Sequence, residues 1–474
     1  MNSRPKRAAP CPKAPHAQRH SAGAASHEPH GTSVRTPDLG ERWFNYGPAV
    51  ADAPTSLFAY SDASQGSESG ATMICGLRHA KAELCCRLLR DGTLSRLMRS
   101  GRLGKFSQTH LPEFKLALQS QNRFHLSFGE EWCGELWRRA ALAMIEIIAE
   151  LAPLGLAIQR PQSWYFQFDG VQAKFIHPGA IFESENEGWD QTLDDIFAGF
   201  LLPVALCAAG DSFIAQVGLR RVPARKIVSF RGTNELLELQ RRCRHSPRPD
   251  ALALMRQWLE SIRFPDEQTS WSGYYVTELP PEPTRAWGYK QHALLSLIQI
   301  LEPTSILDIG SNTGWFARLG AAHGASVIAI DQDEVCINRL CRSASNDNIL
   351  PLRLDIVNPT PSIGFGGMWF PASWDRLRAQ LVLALAITHH MALGMHLSFD
   401  QIAAILEAFT SRWLVVEFVP WTLEAANPYR TGHEACCPAW YAAAGLMTAL
   451  SRKFKSVEMA PGPARGRRLI ICEN

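Results

Sequence analysis

The sequence predicts an α/β fold: a doubly wound, largely parallel sheet in the C-terminal half, with a mixed α+β region before it. Three observations predict it. The run Ser305-Ile306-Leu307-Asp308-Ile309 drops into the turn Gly310-Ser311-Asn312-Thr313-Gly314, which opens a helix at Trp315. A second apolar run, 327–330, ends in Asp331, which follows Asp308 by 23 residues. From Ser305 onward short apolar runs alternate with helical patterns, as parallel β-α-β units require. Such a turn lets the backbone approach a ligand, and a carboxylate closing the second strand can accept from ribose hydroxyls.

The elements follow in order along the chain. Residues 73–99 alternate apolar and basic positions and contain a helix. Residues 107–128 read as short strands, the best being Phe124-His125-Leu126-Ser127-Phe128. Leu136, Ala140, Met144, Ile147, Ile148 and Leu151 recur at helical spacing and predict a helix over 130–151, stopped by Pro153 and Gly155. Asp169-Gly170 joins strands 164–168 and 173–177 as a hairpin. A buried helix spans 193–208 with a kink at Pro203, and 220–265 is helical and basic. In the second half, strands are expected at 305–309, 326–330, 349–354, 381–386, 413–418 and 468–472. Helices are expected at 285–301, 315–323, 334–344, 399–410 and 439–453.

A chain of 474 residues is too long for one ordinary core. The expected organisation is a basic disordered tail over 1–42, an α+β domain over 43–277, a proline-rich linker at 278–284 and the doubly wound domain over 285–474. Apolar content of 46% with 20% charged residues fits a globular protein, and a formal charge of +3 makes no argument for nucleic acid. No apolar run reaches the roughly 18 to 20 residues of a membrane helix, so no membrane partner is expected. The 12 cysteines, including the pairs Cys85-Cys86 and Cys436-Cys437, show no metal-binding spacing. Scattered thiols without a secretory signal point to the reducing cytoplasm. The cluster 241–248, with Arg241, Arg242, Arg244 and Arg248, reads as a solvated loop between helices before it reads as a phosphate site.

The glycine spacing decides which nucleoside fits. Asp308, Gly310 and Gly314 spell D-x-G-x-x-x-G, with no third glycine in the register of a dinucleotide fingerprint, which disfavours a nicotinamide dehydrogenase. The stretch resembles the first motif of class I S-adenosylmethionine (SAM)-dependent methyltransferases, which implies a Rossmann-like fold and SAM as cofactor. The resemblance implies that Gly310 and Gly314 bracket the methionine part, that Asp308 faces its ammonium, and that Asp331 holds the ribose hydroxyls. Asp355, closing the third strand, is where that fold places a partner for the adenine amino group. Asn312 stands where many of these enzymes have glycine, and asparagine tolerates left-handed backbone. His389 and His390 follow the fourth strand and Glu417 lies near the end of the fifth, so each is a candidate proton acceptor at the crevice. A base is not obligatory, since transfer of an activated methyl needs mainly in-line approach. Neither an Asn/Asp-Pro-Pro-aromatic run after the fourth strand nor a Pro-Cys nucleophile in this half is present.

Residues 383–390, then Phe399-Asp400-Gln401-Ile402, Trp440-Tyr441, Phe454 and Gly466-Arg467-Arg468-Leu469-Ile470-Ile471 resemble the NoeA family of rhizobial host-specific nodulation proteins. Glu131-Trp132 and the helix behind it resemble the N-terminal half of that group, whose next region has a kinase-like loop. Here 156–168 and 175–179 lack its asparagine and second acid, and His177 stands in the place of a metal-binding aspartate. Without carboxylates for magnesium, phosphoryl transfer is implausible. The resemblance then implies a degenerate scaffold or substrate-docking domain, and a link to nodulation or modification of a signalling saccharide. The expected function is a cytoplasmic SAM-dependent methyltransferase with a small-molecule or saccharide acceptor. The rival readings are a non-catalytic SAM-binding or scaffold protein, and an RNA methyltransferase whose RNA binding would fall steeply with salt.

Overall fold

The computed structural model describes residues 42–45, 55–61, 70–184, 188–212, 233–273, 285–344, 347–364, 367, 370–421, 438–461 and 466–474. The basic tail short of Arg42, the linker at 278–284, the first part of the 220–265 segment and Cys436-Cys437 lie outside the described residues.

The N-terminal region is built on five antiparallel strands: β1 Arg42–Asn45, β2 Thr55–Ser61, β3 Ala71–Leu77, β4 Phe106–Thr109 and β5 Leu116–Phe124. They run in the order β1-β2-β3-β5-β4. Residues 73–99 therefore begin as strand β3 before the helices His79–Arg90 and Thr93–Arg99. The expected strand at 124–128 is corrected: β5 ends at Phe124. Beyond it the backbone bonds to side chains, with Ser127 N donating to Gln167 Oε1 at 2.9 Å and Phe128 N to Glu131 Oε2 at 3.2 Å.

The helix Gly134–Leu151 buries all six residues of its predicted stripe. Short strands β6 Leu156–Ile158, β7 Phe166–Asp169, β8 Gln172–Phe175 and β9 Ile181–Glu183 follow, and β7 and β8 form the hairpin expected at Asp169-Gly170. The helical stretch Trp189–Ala208 contains a π-turn at Phe197–Leu201 just before Pro203, where the proline leaves the ladder short of a donor. By length and hydropathy this stretch could cross a membrane, contrary to the reading of the sequence, but 67% of its apolar window is buried inside the protein. It serves as a core helix.

The C-terminal half is a seven-stranded sheet of β10 Ser305–Ile309, β11 Ser326–Asp331, β12 Ile349–Arg353, β13 Ala379–Ala384, β14 Thr410–Phe418, β15 Ser456–Met459 and β16 Arg468–Glu473. Its order is β12-β11-β10-β13-β14-β16-β15. The first five strands are parallel; β16 runs antiparallel to β14 and β15. The sheet is thus largely parallel, as expected; residues 460–467 are too few for a parallel crossover, so β15 and β16 pair antiparallel. Helices Trp315–Ala322, Glu334–Ser343 and Phe399–Phe409 cover the sheet, and Ala443–Leu450 is shorter than the helix expected over 439–453. The strand order reverses between β10 and β13, which opens a crevice at their C-terminal ends.

The N-terminal region packs on this sheet through polar contacts. Glu334 Oε1 and Asn338 Oδ1, one helical turn apart, accept from Gly134 N at 2.8 Å and Glu135 N at 3.0 Å. Those N–H groups have no partner within their own helix, so one helix caps the other. Nearby, Arg376 and Glu131 form a buried ion pair, and the guanidinium also donates to Leu126 O and lies 4.4 Å from the Phe128 ring centre.

Candidate cofactor and acceptor site

The turn after β10 is held by backbone bonds and by left-handed residues. Gly310 N and Ser311 N both donate to Ile330 O, at 2.9 and 3.0 Å. Gly310, Asn312 and Gly314 have φ of +71°, +53° and +84°. A Cβ on Gly314 would stand 2.4 Å from Leu340 Cδ1, and one on Gly310 would stand 3.1 Å from Ile387 Cδ1. Both glycines are therefore required by conformation and by close packing. Asn312 takes the third left-handed position through its tolerance of that region.

Asp331 ties the turn to β11. Its Oδ2 accepts from Asn312 N at 2.8 Å and its Oδ1 from Asp333 N at 2.9 Å. Burial pushes its carboxyl up, and those backbone donors hold it down. Asp333 in turn caps the helix Glu334–Ser343, accepting from Val335 N and Cys336 N. Asp355 lies past β12 and accepts from Val357 N at 2.9 Å.

These residues open onto one cavity of about 440 Å³. Its wall includes Gly310, Asn312, Asp331, Asp355, His389 and His390, together with Leu354, Ile356, Met391 and Arg467. On the β13 side the chain turns through a left-handed Ala386, at φ +53°, and brings Ile387 over Gly310. The His389 and His390 rings follow, 3.8 Å apart between centres. Burial, reinforced by Arg467, pushes His389 down to about 3 and His390 to about 4; His390 adds to the effect on His389. Both rings are neutral near pH 7, as proton acceptors must be, but they are weak bases.

Three expected residues lie off the cavity wall. Gly314 sits behind the turn, against Leu340. Glu417 is buried, with Lys290 Nζ 3.1 Å from Oε2 and Arg467 Nη1 3.4 Å from Oε1, so as a base it would first have to give up an ion pair. Asp308 is buried at the end of β10, where burial and then the nearby Asp331 push its carboxyl up to about 7. Asp308 Oδ2 and Ser311 Oγ are buried with no hydrogen-bond partner among the described residues. Unsatisfied groups of this kind beside a glycine turn suit a polar ligand carrying donors, and the ammonium of SAM is one.

Two contributors escaped the sequence reading. Arg467 touches the cavity from the residue just before β16, and Trp271 reaches it from the N-terminal region. No local pattern marks Trp271, since the site residues it meets, Asn312 and His390, lie far along the chain.

His177 is far from metal chemistry. It is buried between Trp164 and Tyr165, with Nδ1 3.6 Å from Cys75 Sγ. Among the described residues no group of three His, Cys, Asp or Glu side chains could hold a metal. In the 241–248 cluster, Arg241 pairs with Glu238 and Arg244 with Asp194, which spends part of its positive charge.

No family model matches the chain. It is 24% identical over 434 residues to nodulation protein NoeA of Rhizobium meliloti (strain 1021), covering 81% of this chain and 88% of that protein. Among solved structures it is similar to the N-methyltransferase NodS of Bradyrhizobium japonicum WM9 in complex with S-adenosylhomocysteine (SAH), at 14% identity over 42% of this chain and 91% of that one, TM-score 0.29. Similar too are magnesium protoporphyrin IX methyltransferase (ChlM) from Synechocystis PCC 6803 with bound SAH, at 15% identity, 41% and 90% coverage and TM-score 0.28, and the bifunctional kinase-methyltransferase WbdD, at 14%, 42% and 45% with TM-score 0.28. The chain thus resembles NoeA over most of its length, and its C-terminal half is a Rossmann-like α/β sheet.

Proposed function

We propose that this chain is a cytoplasmic SAM-dependent methyltransferase acting on a small-molecule or saccharide acceptor, with its N-terminal region as scaffold or acceptor-docking domain. The observation that carries the reading is the Asp331–Asn312 bond, which sets a strand-end carboxylate and a left-handed turn side by side on one cavity wall. Each Asp331 oxygen accepts one backbone bond and keeps lone pairs for a ribose hydroxyl. Asp355 and the apolar Leu354 and Ile356 suit a purine ring. The bound cofactor supplies a methyl group already activated on a sulfonium. The protein then has to orient the acceptor and hold water away, and neutral His389 or His390 can take its proton. The resemblance to NoeA supports a role in nodulation, with a signalling saccharide as the acceptor to try first.

Calorimetric titration with SAM and SAH tests this. Both should bind, and Asp331→Ala should weaken each by about a hundredfold or more, because two charge-assisted hydrogen bonds are lost. Unchanged affinity in the variant would remove the ribose assignment.

A further inference from the structure

Residues 266–272 form a strap that ties the N-terminal region to the mouth of the cavity. Thr269 Oγ1 donates to Asp333 Oδ2, two residues from the ribose candidate Asp331. Arg339 of the helix Glu334–Ser343 holds Asp266 Oδ1 at 2.7 Å and Ser272 O at 3.1 Å. Asn312 Nδ2 donates to Trp271 O at 2.8 Å, so the glycine turn grips the strap directly. The strap is therefore fastened to three parts of the cofactor site, and Trp271 lies at its centre.

Trp271 is 37% exposed, and it lines the cavity. Its ring centre is 4.7 Å from that of His390, which is 3.8 Å from that of His389. One side of the cavity is thus a row of three aromatic rings, while Asp331 and Asp355 lie among its other lining residues. The nearby cation Arg467 is paired with Glu417. The carbonyl of Trp271 accepts from Asn312 of the glycine turn and its ring packs on His390, so Trp271 links the turn proposed to hold the methionine part to the histidines proposed to face the acceptor. A donor's sulfonium must sit between those two sides. A cation held where water is scarce is stabilised by an aromatic face, and indole is the strongest of the side-chain rings.

We propose that Trp271 is a cofactor-binding residue supplied by the N-terminal region, and that its indole receives the sulfonium of the methyl donor. The proposal rests on the SAM reading above and deepens it: the sheet alone does not make the whole donor site. SAM and SAH differ at this point in charge and by one methyl group, so they are the probes that separate a cation-binding ring from a mere wall.

The experiment is calorimetry of both ligands with the full chain and with Trp271→Leu and Trp271→Phe, each checked by thermal melting. In Trp271→Leu, SAM affinity should fall about fivefold to tenfold more than SAH affinity, and Trp271→Phe should keep most of the SAM preference. Equal losses for SAM and SAH, or no loss, would overturn the sulfonium assignment and leave the SAM reading standing. If the Leu variant fails to fold, Trp271→Phe decides instead: SAM weakened measurably more than SAH, as a weaker ring requires, supports the proposal, and equal changes or none overturn it. If the wild-type chain binds neither ligand, the SAM reading itself falls and this proposal with it.

Discussion

At Gly314 a side chain has nowhere to go. The backbone is left-handed, and a Cβ would stand 2.4 Å from a methyl of Leu340, which is fully buried and cannot swing aside. Gly310 is left-handed too, but its neighbour Ile387 is only partly buried and stands 3.1 Å from the same virtual atom. Gly314→Ala should therefore cost about 2 to 3 kcal/mol, and Gly310→Ala about 1 kcal/mol, from left-handed strain plus unequal crowding. Urea unfolding of the two variants checks the order, and a larger loss at Gly310 would contradict it. The glycines could be read from the sequence because a strand, a turn and a helix meet there within ten residues. What could not be read was which atoms crowd them, since Leu340 and Ile387 arrive from separate elements.

The parallel strands were legible because each is an apolar run bounded by turn residues, and each local preference agrees with its place in the sheet. Strand β15, Ser-Val-Glu-Met, is short, half-exposed and at an edge, so it carries no such pattern. The docking of the N-terminal region was not legible either, because it depends on polar atoms paired across the fold. Arg376 and Glu131 are 245 residues apart, both buried, and joined by an ion pair. Removing one partner leaves a charge in a site it cannot leave. Arg376→Met should therefore cost about 3 to 5 kcal/mol, the usual penalty for breaking a buried pair. Adding Glu131→Gln to that variant should restore part of the loss, because the stranded charge is gone. Equal stability of the single and double variants in guanidinium unfolding would refute the account.

Over the whole molecule, burial sets an acid limit on the fold. His125 is pushed down to about 4 and His177 to about 3, His125 by burial alone and His177 by burial and then by Lys81. His389 and His390 behave alike. A histidine lowered in the native state stays neutral there, while the unfolded chain takes up its proton below about pH 6.5. The unfolded state then binds more protons, so stability falls with pH from about 6.5 toward the native values. Asp308, raised to about 7, has the opposite sign: the native state holds its proton from about pH 7 down to the unfolded carboxylate range. Burial raises Asp331 and Glu334 in the same sense, so carboxyl groups offset part of the histidine loss. A comparison of variants isolates one group. His177 is outside the cavity, and near pH 5 its unfolded-state protonation should cost the wild-type chain about 2 kcal/mol relative to neutral pH. His177→Gln carries no such penalty. It should lose stability near pH 7.5, where the packing against Trp164, Tyr165 and Cys75 is disturbed, and the gap to wild type should narrow by about that 2 kcal/mol near pH 5. Urea unfolding of both chains at the two pH values measures it, and a gap that stays constant would mean that His177 has an ordinary histidine pKa in the folded protein.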